Sequence, residues 1–206
     1  MIYDISMTIH PRMPVYKNRE EKRPRFKTTK TFEKDGVYET DLTLNLHTGT
    51  HIDFPLHTLK NGQDSHQHDV QRLLGEAKVF DLTHVTEGIT ENDLIEHPIE
   101  DNDFILFKTK NSARDDFDFN FVYLTKSGAE YLVKKRIRGV GIDALGIERN
   151  QPNHPTHDLL LSNNILILEG IRLKNVPQGN YEMMALPMPI DGVEALPVRA
   201  LLKSKD

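Results

Sequence analysis

The 206-residue chain contains no cysteine, which excludes disulfides and every thiolate metal site. No apolar run approaches the roughly 18 residues that mark a membrane-spanning helix. The N-terminus lacks a charged segment followed by an apolar stretch, so no secretory leader is expected and the cytoplasm is the expected location. Positive charge is in the minority: 26 Lys and Arg against 31 Asp and Glu leave a net charge of −5, which argues against a nucleic-acid partner or an anionic membrane surface. The one compact basic run, Lys134 to Arg138, falls in a predicted helix and reads as a solvated face near a helix C-terminus. Internal repeats and low-complexity tracts are also missing.

What is present suits a globule. Charged residues make up 28% and hydrophobic residues 37%, so a single domain over 1–206 is expected, with 10–36 as an arm or active-site loop within it. Residues 1–36 read as irregular, apart from a short strand at Ile2–Ile5, because Pro11, Pro14 and Pro24 punctuate them. From Tyr38 to His47 the pattern alternates, with Leu42, Leu44 and Leu46 on one face, which predicts a half-buried strand. Asp64-Ser65 can cap a helix running to Leu74, Thr90 one over Glu91–Glu96, and Ser127 one over 128–136. Strands are predicted at Ala77–Leu82, Phe104–Lys108, Gly139–Ile142, Ile165–Glu169 and Val198–Leu202, with a helical turn at His157–Leu161. Strands mixed with short helices predict an α/β or α+β class around a sizeable sheet.

Four ligand-type side chains fall within eleven residues: His47, His51, Asp53 and His57. Thr48-Gly49-Thr50 disfavours helix, and a tight turn at Gly49 can bring His51 beside His47. His51 and Asp53 are two apart, so an extended chain points both to one side. Two imidazoles and a carboxylate then converge, a set that suits zinc, manganese or iron(II). Pro55 stiffens the exit and aims His57 back at the same point. A second group, His154, His157, Asp158 and Glu169, can join the first if the apolar segment between 159 and 168 folds back as a turn and a strand. His66 and His68 are read as surface or supporting positions, and His10, His84 and His97 as ordinary polar residues. A structural metal site is disfavoured, because such sites are usually closed by four ligands, often cysteines.

The run His47-Thr-Gly-Thr-His51-Ile-Asp53-Phe-Pro55-Leu-His57 resembles the signature of the metal-dependent cyclase family, which contains bacterial kynurenine formamidases and isatin hydrolases. The likeness continues at Tyr3-Asp4-Ile5-Ser6, at Gly141-Ile142-Asp143, at His157 with Ile167-Leu168-Glu169-Gly170, and at 181–187 and 197–200. The resemblance implies a swivelling β/β/α domain with a mixed, mostly β core sheet, assembled as a homodimer or homotetramer. It implies two divalent ions per subunit, zinc or else manganese. His47, His51 and Asp53 would hold the first; Asp53 and Glu169 would bridge to a second also held by His157; His57 would donate and accept protons. The implied activity is hydrolysis of an amide, foremost an aryl formamide such as N-formylkynurenine. Hydrolysis of a cyclic amide or ester, and metal-dependent binding of a small ligand without turnover, are the alternatives. The chain departs from the family's arm, where Pro-Val-Trp or Pro-Val-Tyr is often followed by Pro-Gly-Asp. Here Pro14-Val15-Tyr16 is followed by Lys17-Asn18-Arg19-Glu20, so the aromatic expected to stack on the substrate is Tyr16, and Thr58 stands where many members carry Phe. These departures bear on the substrate rather than on the metal.

Overall fold

The computed structural model describes residues 1–205. The first half holds β1 (Ile2–Asp4), β2 (Arg25–Lys30), α1 (Phe32–Asp35), β3 (Glu39–Thr43), β4 (His51–Asp53), β5 (Leu74–Asp81), β6 (Gly88–Ile89) and α2 (Glu91–Leu94). The second holds β7 (Phe104–Lys108), β8 (Tyr123–Leu124), α3 (Lys126–Lys134), β9 (Gly139–Ile142), α4 (Pro155–Ser162), β10 (Leu166–Glu169), β11 (Gly179–Pro187) and β12 (Ala195–Ser204).

One sheet of eight strands runs in the order β1-β12-β11-β5-β7-β9-β10-β4, and β4 also pairs with β12. That last pairing closes the sheet on itself, with β1 lying along β12 beyond the closure. The strands β5, β7, β9 and β10 are mutually parallel and the remaining pairs antiparallel. The parallel strands β7, β9 and β10 are buried on both faces, which is why they read as continuous apolar runs. Phe104, Leu106, Leu166 and Leu168 face the interior of the closed sheet, where they meet Ile52, Met183, Ala200 and Leu202. Ile105, Phe107, Val140 and Ile167 face the other way, into a second core covered by Leu94, Ala129, Leu132 and Leu160 of α2, α3 and α4. The expected α/β class with a mixed, mostly β sheet and a few short helices is what forms. Among the described residues no helix is long and apolar enough to cross a membrane.

Several local expectations are corrected. The alternating segment forms only β3, which pairs with β2 inside the arm and is exposed on both faces, Leu42 included. Alternation distinguishes two faces, but in one chain nothing lies beneath either. Residues 64–74 form two 3₁₀ turns, Ser65–Gln67 and Val70–Leu73, instead of one helix, because the Asp69 carboxylate takes the Gln71 N–H and starts a second turn. The cap of α3 is Thr125, whose hydroxyl accepts the Gly128 N–H, and not Ser127.

The Gly141-Ile142-Asp143 segment ends in an anchor. Asp143 is buried and accepts hydrogen bonds from the Thr109 N–H (2.8 Å), the Ser112 N–H (3.0 Å) and the Thr109 hydroxyl (2.7 Å). It thereby fastens the loop after β7 to the end of β9. Burial pushes its carboxyl up to about 6 from 3.8, against those donors. Because the folded value lies above the unfolded one, the protonated form favours the fold. That contribution is complete below 3.8 and is lost as pH rises through about 6. Urea titrations of the wild type should show this fall, and Asp143→Asn, which turns an amide N–H₂ toward existing donors, should lack it while costing about 1–3 kcal/mol at pH 5. A second test concerns β9. A Cβ on Gly139 would lie 2.3 Å from the Phe104 ring, so Gly139→Ala should cost about 1–3 kcal/mol, with part recovered in the Gly139→Ala/Phe104→Leu double variant.

Candidate metal centre

The loop leading into β4 is shaped by its own side chains. Asn45 Oδ1 accepts the His47 N–H (3.0 Å), and its carbonyl accepts the Thr48 N–H (3.0 Å), which starts the turn. Gly49 completes it at φ +69°, a left-handed conformation that favours glycine. The Thr50 hydroxyl donates to the Gly170 carbonyl (2.7 Å) and accepts the Met7 N–H (2.8 Å), pinning the loop to the end of β10 and to the chain after β1. The approach is close: a Cβ on Gly170, itself at φ +69°, would sit 2.3 Å from the Gly49 carbonyl oxygen.

β4 then carries His51 and Asp53 into the interior. Its antiparallel register with β10 sets Glu169 across from His51. His51 Nε2 lies 3.4 Å from Asp53 Oδ1 and 3.4 Å from Glu169 Oε2, and His47 Nδ1 lies 3.0 Å from Asp53 Oδ1. From the other side α4 presents His157, whose Nε2 is 3.5 Å from Glu169 Oε1. His57, on the 3₁₀ turn Pro55–His57, has its ring centroid 4.3 Å from that of His47 and 5.5 Å from that of His157. The structure therefore brings His47, His51, Asp53, His57, His157 and Glu169 together. Tyr16 lies at the same cleft, its ring edge-on to Phe117 at 5.4 Å, with Gly146 leaving the room it occupies.

Not every candidate joins them. His154 comes near Glu148 and His157, while Asp158 belongs to no ligand cluster among the described residues. His66 pairs with Asp191 (3.3 Å) at the surface, and His68 packs on the Phe54 ring (5.0 Å). Two residues escaped the sequence reading. Glu148 Oε2 accepts both the Nδ1–H (2.8 Å) and the backbone N–H (3.1 Å) of His157, and Glu194 reaches His47 Nε2 at 3.4 Å. Neither sits at a telling spacing from the residue it holds.

The donor set fits a divalent cation. His51 Nε2 and both Asp53 oxygens are buried without a hydrogen-bond partner, a costly arrangement unless another group satisfies them. His51 Nδ1–H donates to the Gly49 carbonyl (2.9 Å), and His157 Nδ1–H to Glu148, so each ring turns its Nε2 lone pair toward the carboxylates. Imidazole and carboxylate in this ratio suit zinc or manganese.

The charges are strongly coupled. Burial opposes protonation of both histidines, but Asp53 and Glu169 outweigh it and lift His51 to about 9, and Glu148 and Glu169 lift His157 to about 10. Burial raises Glu169, yet His157 and His51 hold it well below its ordinary range. For His57 burial prevails and lowers it, so that ring is neutral near pH 7.

The chain is similar to known proteins over most of its length. The Cyclase family model, described as "Putative cyclase", matches residues 3–149. A kynurenine formamidase from Salinibacter ruber (strain DSM 13855 / M31) is 30% identical over 98% of this chain and 97% of its own. A solved structure described as a "predicted metal-dependent hydrolase" from Bacillus stearothermophilus is 47% identical, with a TM-score of 0.91 over 98% of this chain and 97% of that one. Isatin hydrolase A from Labrenzia aggregata, solved with benzyl benzoate, has the same fold, with a TM-score of 0.85 at 23% identity over 98% and 93% of the two chains.

Glu148 should matter through His157. Glu148→Ala is expected to weaken divalent-metal binding by about 10–100-fold, read by competition with a chromophoric chelator. Unchanged affinity would remove Glu148 from the support of the site.

Proposed function

The chain belongs to the cyclase family, and from that membership we propose that it is a metal-dependent hydrolase of non-peptide C–N bonds, foremost of aryl formamides such as N-formylkynurenine. The observation that carries this reading is the buried set His51 Nε2, Asp53 Oδ1 and Asp53 Oδ2, which make no hydrogen bond though imidazole and carboxylate crowd together there, facing Glu169 and His157. In this reading His47, His51 and Asp53 hold one ion, and Asp53, Glu169 and His157 a second, with zinc the proposed metal and manganese the alternative. A divalent cation there supplies Lewis acidity, which makes water nucleophilic near neutral pH and polarises a carbonyl.

The chain's own groups supply the rest. His57, kept neutral by burial, is free to take a proton from the attacking water and to hand it to the departing amine. Its position beside both His47 and His157 keeps it within reach of either half of the centre. Tyr16 offers the face or edge of its ring to an aromatic substrate. The cleft of about 370 Å³ suits a small molecule.

Hydrolysis of a cyclic amide or ester by the same residues is the second reading, favoured by the departure from the family arm at Lys17–Glu20. Self-association as a dimer or tetramer is also proposed. The β2–β3 hairpin leaves Phe26, Phe32, Tyr38 and Leu42 exposed, an apolar set that a second copy is suited to cover. The proposed setting is the cytoplasm, in keeping with the bacterial relatives.

Incubation with N-formylkynurenine, isatin and simple lactones, with zinc or manganese, tests the reading: chelator-sensitive product is expected from the formamide first. No turnover of any of them would leave a binding protein in place of an enzyme. His57→Ala should retain its metal and turn over about 10²–10⁴ times more slowly. Unchanged turnover would take His57 out of the mechanism.

A further inference from the structure

The cleft has a cationic rim for which amide hydrolysis as such has no use. Lys17 and Lys22 line it together with Tyr16. Their ammonium nitrogens lie 5.3 and 5.6 Å from the centroid of the Tyr16 ring. Among the described residues neither makes an ion pair, a state they share with Lys27 and Lys60, and what sets them apart is their place on the cleft beside Tyr16. Glu20, which lies between the two lysines in sequence, is held by Arg23 at 2.8 Å.

The backbone of the rim is tied to the site. Lys22 is half-buried, and its carbonyl accepts the Thr48 hydroxyl (3.3 Å), which ties it to the loop carrying His47. Lys17 and Asn18 take up φ +55° and +52°, a left-handed stretch that side-chain-bearing residues rarely enter. The Asn18 N–H closes that turn on the Val15 carbonyl (2.9 Å), which sets the backbone carrying Lys17 beside the cleft.

We propose that Lys17 and Lys22 make the site selective for substrates bearing a carboxylate, received by the ammonium groups that rim the cleft beside Tyr16. Each lysine then makes the charge-assisted hydrogen bond it lacks within the chain. The cation–π contact with Tyr16 keeps the ammonium groups close to an apolar surface, where a carboxylate is attracted more strongly than in open water. The position also separates two tasks. The acid is bound at the mouth, and the carbonyl to be attacked reaches the histidines below, so a distant charge orients the reacting end. The proposal rests on the hydrolase reading only for the bond that is broken; recognition of the acid stands on the rim itself.

The test compares two probes of one shape, 4-formamidobenzoate and neutral formanilide, on the zinc-loaded full chain. Affinity is measured by calorimetry and hydrolysis by amine release. The wild type is expected to bind the acid roughly tenfold more tightly than the neutral probe, and added salt should shrink that ratio. In the Lys17→Gln/Lys22→Gln double variant the ratio should fall to within about twofold, and Lys17→Arg/Lys22→Arg should keep most of it. Equal affinity of the wild type for both probes overturns the proposal. So does a preference that survives in the double glutamine variant, since the acid would then be bound at the metal centre. Lysine-dependent binding of the acid with no hydrolysis of either probe upholds the rim and removes the formamide reading. Equal binding with hydrolysis of both does the reverse.

Discussion

The seam between β4 and β10 is the constraint on which the rest depends. Three register pairs, Ile167 with Asp53, Leu168 with Ile52 and Glu169 with His51, join a strand from the first third of the chain to one near its end. The same β4 pairs with β12 on its other edge, so three residues complete the closed sheet. Gly49 and Gly170 meet where a side chain on Gly170 would collide with the facing backbone. Without that approach the loop bearing His47 would stand off from Glu169, and the two groups of ligand-type residues would remain separate.

Electrostatics then works on what topology has assembled. Two buried carboxylates at such short range repel each other, and charges taken out of water cost several kcal/mol each unless compensated. The chain meets this with histidines whose proton affinity rises, His51 to about 9 and His157 to about 10. His57 lies in the same pocket yet moves the other way, because it is not locked onto a carboxylate. Neighbours of one residue type are thus sorted by the partners that face them: the carboxylates draw positive charge onto His51 and His157, which a bound cation would replace, while burial leaves His57 neutral.

Legibility followed distance along the chain. The His47–His51–Asp53 convergence could be read directly, because a glycine turn and a two-residue alternation are local geometry. Bringing Glu169 and His157 to the same point needed the resemblance to a family, since only sheet order connects them. Glu148 and Glu194 went unseen for the same reason: one lies between β9 and α4, the other just before β12, and no spacing ties either to its histidine. Errors in the fold came from signals that are true but incomplete. The alternation before His47 marked a strand, yet alternation does not say whether anything covers it. Asp64 was a genuine cap, but a second acidic residue five positions on competed for the next free N–H. The buried parallel strands were read well because an apolar run covered on both faces has few other fates.

The three-residue strand β4 has one more consequence. Two of the side chains proposed to hold the metal, His51 and Asp53, sit on the strand that closes the sheet, so cation binding and closure would be thermodynamically linked. A ligand that binds only the folded form adds about 4 kcal/mol when present at a thousand times its dissociation constant. That is a large share of the 5–15 kcal/mol typical of a whole domain. Loss of the ion would remove the reaction and a share of the fold's stability together, as its free concentration fell toward the dissociation constant.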